Sequence, residues 1–232
     1  MPVHLIKKYG LPLLILLFAL FYIWNPSFVP SSLRMLFKLI PMWLIIAYSF
    51  TLLPTPRKRE HWLLIIGLFF CMLGDYLLQW FVIGLSAFLI GHLFYISSFV
   101  HSFTFTKPRF ISIIIFLVYG GFMGIKLTEA LQGNNESALI IPVIFYIIVI
   151  ISMSWTAIMT GNMYAIVGSI LFLISDSILA WNKFVADIEY SSILIMSTYY
   201  AAQFCLTRSL GWKSVVKRNT SVGAHPTESS KV

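Results

Sequence analysis

The sequence predicts an all-α fold, a polytopic membrane bundle of eight transmembrane helices, on three observations. Of its 232 residues, 59% are hydrophobic and only 10% charged, where a soluble domain carries about 25% charge. The apolar runs are about twenty residues long, the length of a membrane helix, and do not alternate as membrane β-strands of roughly ten residues do. Finally, lysine and arginine sort to one side of the alternating loops, as a membrane topology requires.

Taken in order, the first helix spans about Leu11 to Trp24, with a start nearer Leu5 also open, and ends in the turn Asn25-Pro26-Ser27. No small-x-small cleavage site closes this run, so it reads as a helix and not as a signal peptide. The second runs from Leu33 to Leu53 and carries Lys38 and Pro41; Pro54 to Arg59 closes it. The third is Trp62 to Val82, with Asp75, and the fourth Gly84 to Phe105, with His92 and Tyr95. The fifth is Phe110 to Leu131, and a polar loop leads to the sixth, Ala138 to Thr160. Gly161-Asn162 turns the chain into the seventh, Met163 to Asn182, with Asp176; the eighth, Tyr190 to Leu210, holds Tyr200 and Gln203. Residues 1–211 are thus expected to form one transmembrane domain and residues 212–232 a flexible, basic tail.

Eight crossings put both termini on one side. On that side lie Lys7, Lys8, Arg57, Lys58, Arg59, Lys107, Arg109, Arg208, Lys213, Lys217, Arg218 and Lys231, against Arg34, Lys126 and Lys183 opposite. Positive residues mark the cytoplasmic face, so both termini are expected there. The net charge of +8 is therefore orientation, and no nucleic-acid partner is implied. Cys71 and Cys205 fall inside helices without a CxxC or Cys/His cluster, which suggests neither a disulfide framework nor a zinc site. Trp24, Trp62, Trp80, Trp181 and Trp212 near helix ends fit an interfacial belt. The sequon Asn135-Glu136-Ser137 falls in an outward loop.

Two stretches carry the chemistry. Gly74-Asp75-Tyr76-Leu77-Leu78-Gln79-Trp80 and Ser175-Asp176-Ser177-Ile178-Leu179-Ala180-Trp181 share Asp-x-x-Leu-x-Trp at a spacing of 101 residues, with Gly67 and Gly168 eight residues before each aspartate. A carboxylate at membrane depth costs at least about 2.5 kcal/mol and normally faces a bundle interior with a purpose. At 1.5 Å per residue Asp75 and Asp176 lie roughly 20 Å along outward-running helices, while Lys38 and His92 lie about 7 and 12 Å down inward-running ones. All four reach a similar depth. Phe94-Tyr95 to Phe99 and Tyr199-Tyr200 to Phe204 match more weakly, so the chain reads as two parallel four-helix halves with the carboxylates facing each other.

These residues resemble the lysoplasmalogenase (YhhN-like) membrane proteins: Gly74-Asp75 with Leu78, Gly91-His92 with Tyr95, Ser175-Asp176 with Leu179-Ala180, Tyr200-Ala201-Ala202-Gln203, and Lys38 near Pro41, from about Leu33 to Gly211. Two residues separate Lys38 from Pro41, where a closer pair is expected in some members. The resemblance implies hydrolysis of the vinyl ether bond of a lysoplasmalogen, a lysophospholipid, to a fatty aldehyde and a glycerophospho-alcohol. No cofactor is expected; Asp75, Asp176 and His92 as metal ligands are the minor reading, because only one of the three is a histidine. The resemblance also implies the endoplasmic reticulum membrane in a eukaryote, or the cytoplasmic membrane in a bacterium.

Vinyl ethers are base-stable and acid-labile, so the reaction needs a carboxyl still protonated near neutral pH and a negative group to stabilise the oxocarbenium ion. Two carboxyls in one low-dielectric site resist ionising together and can supply both. Asp75 and Asp176 are the expected catalytic pair, either one being the acid. Lys38 would hold one aspartate ionised or bind substrate phosphate; His92, Tyr95, Tyr200 and Gln203 would orient carboxyls or water. The plain alternative is a buried pair that fixes packing. The rival functions are a proton-coupled transporter using the same carboxylates as a relay, or a lipid-binding protein without catalysis.

Overall fold

The computed structural model describes residues 9–24 and 30–211; the expected tail at residues 212–232, the first turn and a start of the first helix nearer Leu5 lie outside them. Eight long helices and no strands make up the described residues: α1 (Leu11–Trp24), α2 (Ser31–Leu52), α3 (Arg59–Leu77), α4 (Phe81–Val100), α5 (Ile113–Gly133), α6 (Ile140–Thr160), α7 (Met163–Phe184) and α8 (Ser191–Arg208). A five-residue helix, Lys107–Ile111, leads into α5 with Pro108 in its first turn, where the missing N–H costs nothing. Six helices, α2 to α7, are long and apolar enough to cross a membrane. The other two of the eight expected crossings fall short on that measure. α1 is 14 residues; α8 spends its 18 residues partly on buried Tyr199, Tyr200, Gln203 and Thr207. The outer surface is apolar, with Ile141 80% and Ile115 71% exposed. Contiguous exposed hydrocarbon of this kind needs a bilayer as its solvent. The chain is an integral membrane protein.

The α6–α7 turn follows the sequence expectation: Gly161 takes φ +68° and Asn162 caps α7 by accepting from the backbone N–H of Tyr164 and Ala165. The α3–α4 boundary differs. Helix α3 stops at Leu77, not Val82, and α4 starts at Phe81. Trp80, with φ −108° and ψ 88°, leaves the helical region while its N–H bonds the Leu77 carbonyl at 2.8 Å. Apolar residues continue through this turn, so hydropathy has no boundary to register there.

The two most extensive helix contacts among the described residues are α3 on α4 and α7 on α8. Each depends on a glycine read in the sequence. A Cβ on Gly67 would lie 2.5 Å from the Tyr95 ring, and one on Gly168 would lie 3.0 Å from the Ala202 carbonyl oxygen. Bare backbone at these crossings lets the helices close, the usual means of packing where lipid supplies no hydrophobic drive. The contacts α1–α2, α2–α3 and α2–α8 have counterparts in α5–α6, α6–α7 and α6–α4. Helix α4 thus packs on α3, which bears Asp75, and α8 on α7, which bears Asp176.

Candidate active site

Asp75 is sealed, 3% exposed. From α2, the Lys38 ammonium lies 3.3 Å from its Oδ1 and donates to its backbone carbonyl at 3.1 Å. Pro41, inside α2, has no N–H for the Phe37 carbonyl one turn earlier. The next carbonyl, that of Lys38, accepts the Tyr200 hydroxyl at 2.7 Å. Tyr200 thus ties α8 to the loosened turn that carries the lysine. The Tyr199 hydroxyl is within electrostatic reach of Asp75 but short of hydrogen-bond geometry. Both it and Asp75 Oδ2 are buried with no hydrogen-bond partner among the described residues.

Asp176 sits differently. It is half-buried and accepts a hydrogen bond from the Tyr146 hydroxyl of α6. It lines a narrow cavity of about 60 Å³ between α4, α5, α6 and α7, whose other walls include Phe81, Leu85, Met123, Leu127, Ile150 and Phe184. Apolar walls with a few convergent polar groups are the usual lining of a small-molecule site. Ser177 and Tyr119 also line it, and the Tyr119 hydroxyl donates to Ser177 Oγ at 2.5 Å.

An aromatic wall stands between the two carboxyls. Phe88 faces the cavity and meets Tyr199, beside Asp75, edge-on at 6.0 Å. Gly74 makes room for it: a Cβ there would lie 2.7 Å from the Phe88 ring. Phe172 packs against His92 at 4.6 Å and Tyr199 at 5.4 Å. His92 Nδ1 lies 2.7 Å from the Phe88 carbonyl, which assigns the proton to Nδ1 and leaves a lone pair on Nε2; Nε2 is buried without a partner among the described residues. The His92 ring meets Tyr146 at 5.4 Å, nearly perpendicular. The carboxyls are near enough for their charges to act on one another, yet Asp75 is not among the residues that line the cavity.

The sequence-predicted residues therefore divide. Lys38, Asp75 and Tyr200 form one cluster, and Asp176 stands in the other. His92 packs between them. Tyr95 donates to Gln203 Oε1 at 2.7 Å, a bridge from α4 to α8 beside Cys71, away from the cavity. Sequence reasoning did not single out Tyr146, Tyr119 or Tyr199. The available signal was a phenol inside an apolar run, since a buried tyrosine hydroxyl seeks a partner; Ser177 stood beside Asp176 in the repeated stretch. Among the described residues, no group of three His, Cys, Asp or Glu gathers as a metal ion would require.

The profile of the YhhN family matches residues 33–210. This chain belongs to the YhhN family. Its curated relatives include mouse lysoplasmalogenase TMEM86B, 30% identical over 209 residues that cover 88% of this chain and 87% of the relative. Human lysoplasmalogenase TMEM86A is 32% identical, over 90% of this chain and 92% of the relative. The lysoplasmalogenase of Mycobacterium tuberculosis is 29% identical, over 75% of this chain and 69% of the relative. No solved structure matches the chain. The family match spans all of the expected site residues, from Lys38 on α2 to Gln203 on α8.

Proposed function

We propose that this YhhN-family chain is a membrane hydrolase that cleaves the vinyl ether bond of lysoplasmalogens, with ethanolamine or choline headgroups, to a fatty aldehyde and a glycerophospho-alcohol. One observation carries the reading: the apolar cavity has a carboxyl, Asp176, in its wall. A single hydrocarbon chain suits such walls, and an acid-labile bond next to the chain suits a carboxyl. The names of the relatives favour the same reaction.

Asp176 is the general acid. Its partner is a neutral phenol, so the carboxyl can hold a proton in a low-dielectric site without stranding an opposite charge. Asp75, paired with the Lys38 ammonium, is the ionised member. Asp176 protonates the outer alkene carbon, and the ether oxygen shares the positive charge that results. Water adds to the oxocarbenium carbon and loses its proton to the Asp176 carboxylate. The hemiacetal then collapses to aldehyde and glycerol alcohol, and the acid is restored. Asp75 acts through its field across the aromatic wall, stabilising the cation without touching it. Lys38, Tyr199 and Tyr200 position Asp75, His92 positions Tyr146, and Tyr95 with Gln203 holds α4 to α8.

Eight crossings with both termini cytoplasmic complete the reading, supported by the loop charges and by the succession of eight long helices among the described residues. The matched helix contacts of α1–α4 and α5–α8 favour two parallel halves. A substrate drawn from the bilayer suits a protein of the endoplasmic reticulum or of a bacterial cytoplasmic membrane. The test presents purified full-length protein in lipid nanodiscs with a lysoplasmalogen and, separately, with an ester lysolipid, and measures aldehyde. Aldehyde from the vinyl ether alone is the expected result. None from either, with the lipid still bound, would leave a binding protein or transporter.

A further inference from the structure

The proposed chemistry uses two of the four polar side chains in the cavity wall. Tyr119 from α5 and Ser177 from α7 remain. The Ser177 hydroxyl donates to the Leu173 carbonyl at 2.5 Å and accepts from the Tyr119 hydroxyl at 2.5 Å. A hydroxyl has one hydrogen to give and lone pairs with which to receive. Both hydrogens are thus committed within the protein, while both oxygens keep accepting capacity. A corner in this state recognises a hydrogen-bond donor and offers nothing to a carbonyl or an ether oxygen.

We propose that the Tyr119–Ser177 pair binds the free 2-hydroxyl of a single-chain glycerolipid and so selects lysolipids over their two-chain parents. The proposal rests on the hydrolase reading. Ser177 directly follows Asp176 on α7 and lines the same cavity, which sets the accepting pair beside the general acid. In the substrate the 2-hydroxyl is on the carbon next to the one bearing the vinyl ether, so the two recognised groups are neighbours as well. An acyl group on that oxygen removes the hydrogen, leaves only acceptors facing acceptors, and adds a second chain to a narrow cavity of about 60 Å³. Specificity then includes a repulsive element as well as an attractive one. A site that hydrogen-bonds a substrate hydroxyl rejects the analogue lacking it more sharply than a hydrophobic pocket rejects a missing methylene.

The test compares a 1-alkenyl lysolipid with its 2-O-methyl analogue, measuring kcat/KM for aldehyde release by the wild type, Tyr119→Phe and Ser177→Ala in nanodiscs. The wild type is expected to favour the free hydroxyl by about tenfold, the worth of one well-made hydrogen bond. Tyr119→Phe is expected to lose about tenfold on the hydroxyl substrate and nothing on the 2-O-methyl analogue, so that the preference shrinks. A wild type without preference, variants that keep the full preference, or equal losses on both substrates would overturn the proposal. If the wild type releases no aldehyde from either substrate, the hydrolase reading has failed, and the corner is tested by binding alone. Saturated 1-O-alkyl lysolipid and its 2-O-methyl form are then compared by thermal shift on the same three proteins. A preference for the hydroxyl that Tyr119→Phe abolishes upholds the corner, and its absence rejects it.

Discussion

Asp75 and Asp176 occupy corresponding places in two similar stretches of sequence, yet their surroundings are opposite in kind. Asp75 is walled in and answered by a cation from α2, with Lys38 3.3 Å away. Asp176 opens on a hydrocarbon cavity and is answered by a neutral phenol from α6. A carboxyl paired with an ammonium is useful as a charge; one paired with a hydroxyl can carry and return a proton. Two copies of one motif can thus perform unlike tasks when the neighbouring helix presents a different partner, Lys38 to one and Tyr146 to the other.

The largest expected effect sits on the cavity side. Asp176→Asn removes the proposed proton donor and should lower aldehyde release by about 10²–10⁴-fold, the usual contribution of a general acid. The purified variant should still elute as a folded species in size-exclusion chromatography. Near-normal turnover would end the claim that the two carboxyls differ in this way. On the sealed side the main loss should be stability. Lys38→Met leaves a buried carboxylate without its cation, at a cost of roughly 3–5 kcal/mol, read by denaturant unfolding in detergent. Lys38→Met combined with Asp75→Leu should regain part of that loss, because no buried charge is then stranded; failure to regain any would show that the pair is not the relevant contact.

Tyr146→Phe sharpens the comparison at smaller scale. Losing one hydrogen bond to the acid should slow turnover about tenfold while the unfolding midpoint barely moves. An unchanged rate would detach Tyr146 from the chemistry. Smallest of all, Tyr200→Phe removes an interhelical bond to the Lys38 carbonyl, worth about 0.6 kcal/mol in membrane bundles. Its trace should appear in unfolding more than in rate, and a rate loss equal to that of Tyr146→Phe would blur the division between the two sites.

Much of the candidate site was legible in the sequence because charge in an apolar run is conspicuous. Asp75, Asp176 and Lys38 stand out for that reason, and each is found in a buried or half-buried contact. Tyr146, Tyr119 and Tyr199 could not be separated from packing aromatics, since the sequence holds 11 tyrosines and only their partners distinguish them. Tyr95 and Gln203 were legible as polar yet serve the α4–α8 bridge, a distinction that polarity alone does not draw. The α3–α4 boundary escaped hydropathy because Leu78, Phe81 and Val82 are as apolar as the helices they join.

Composition and run length alone determined an all-helical membrane protein, because lipid leaves backbone groups no partner but one another. They also marked the two carboxylates, whose cost at that depth makes them hard to overlook. Tertiary structure alone decided what each carboxylate faces. A helix presents its residues around a full turn, and hydropathy does not say which neighbour meets which face. Gly74 admitting the Phe88 ring, and α6 delivering Tyr146 where α2 delivers Lys38, are outcomes of packing between segments far apart in the chain.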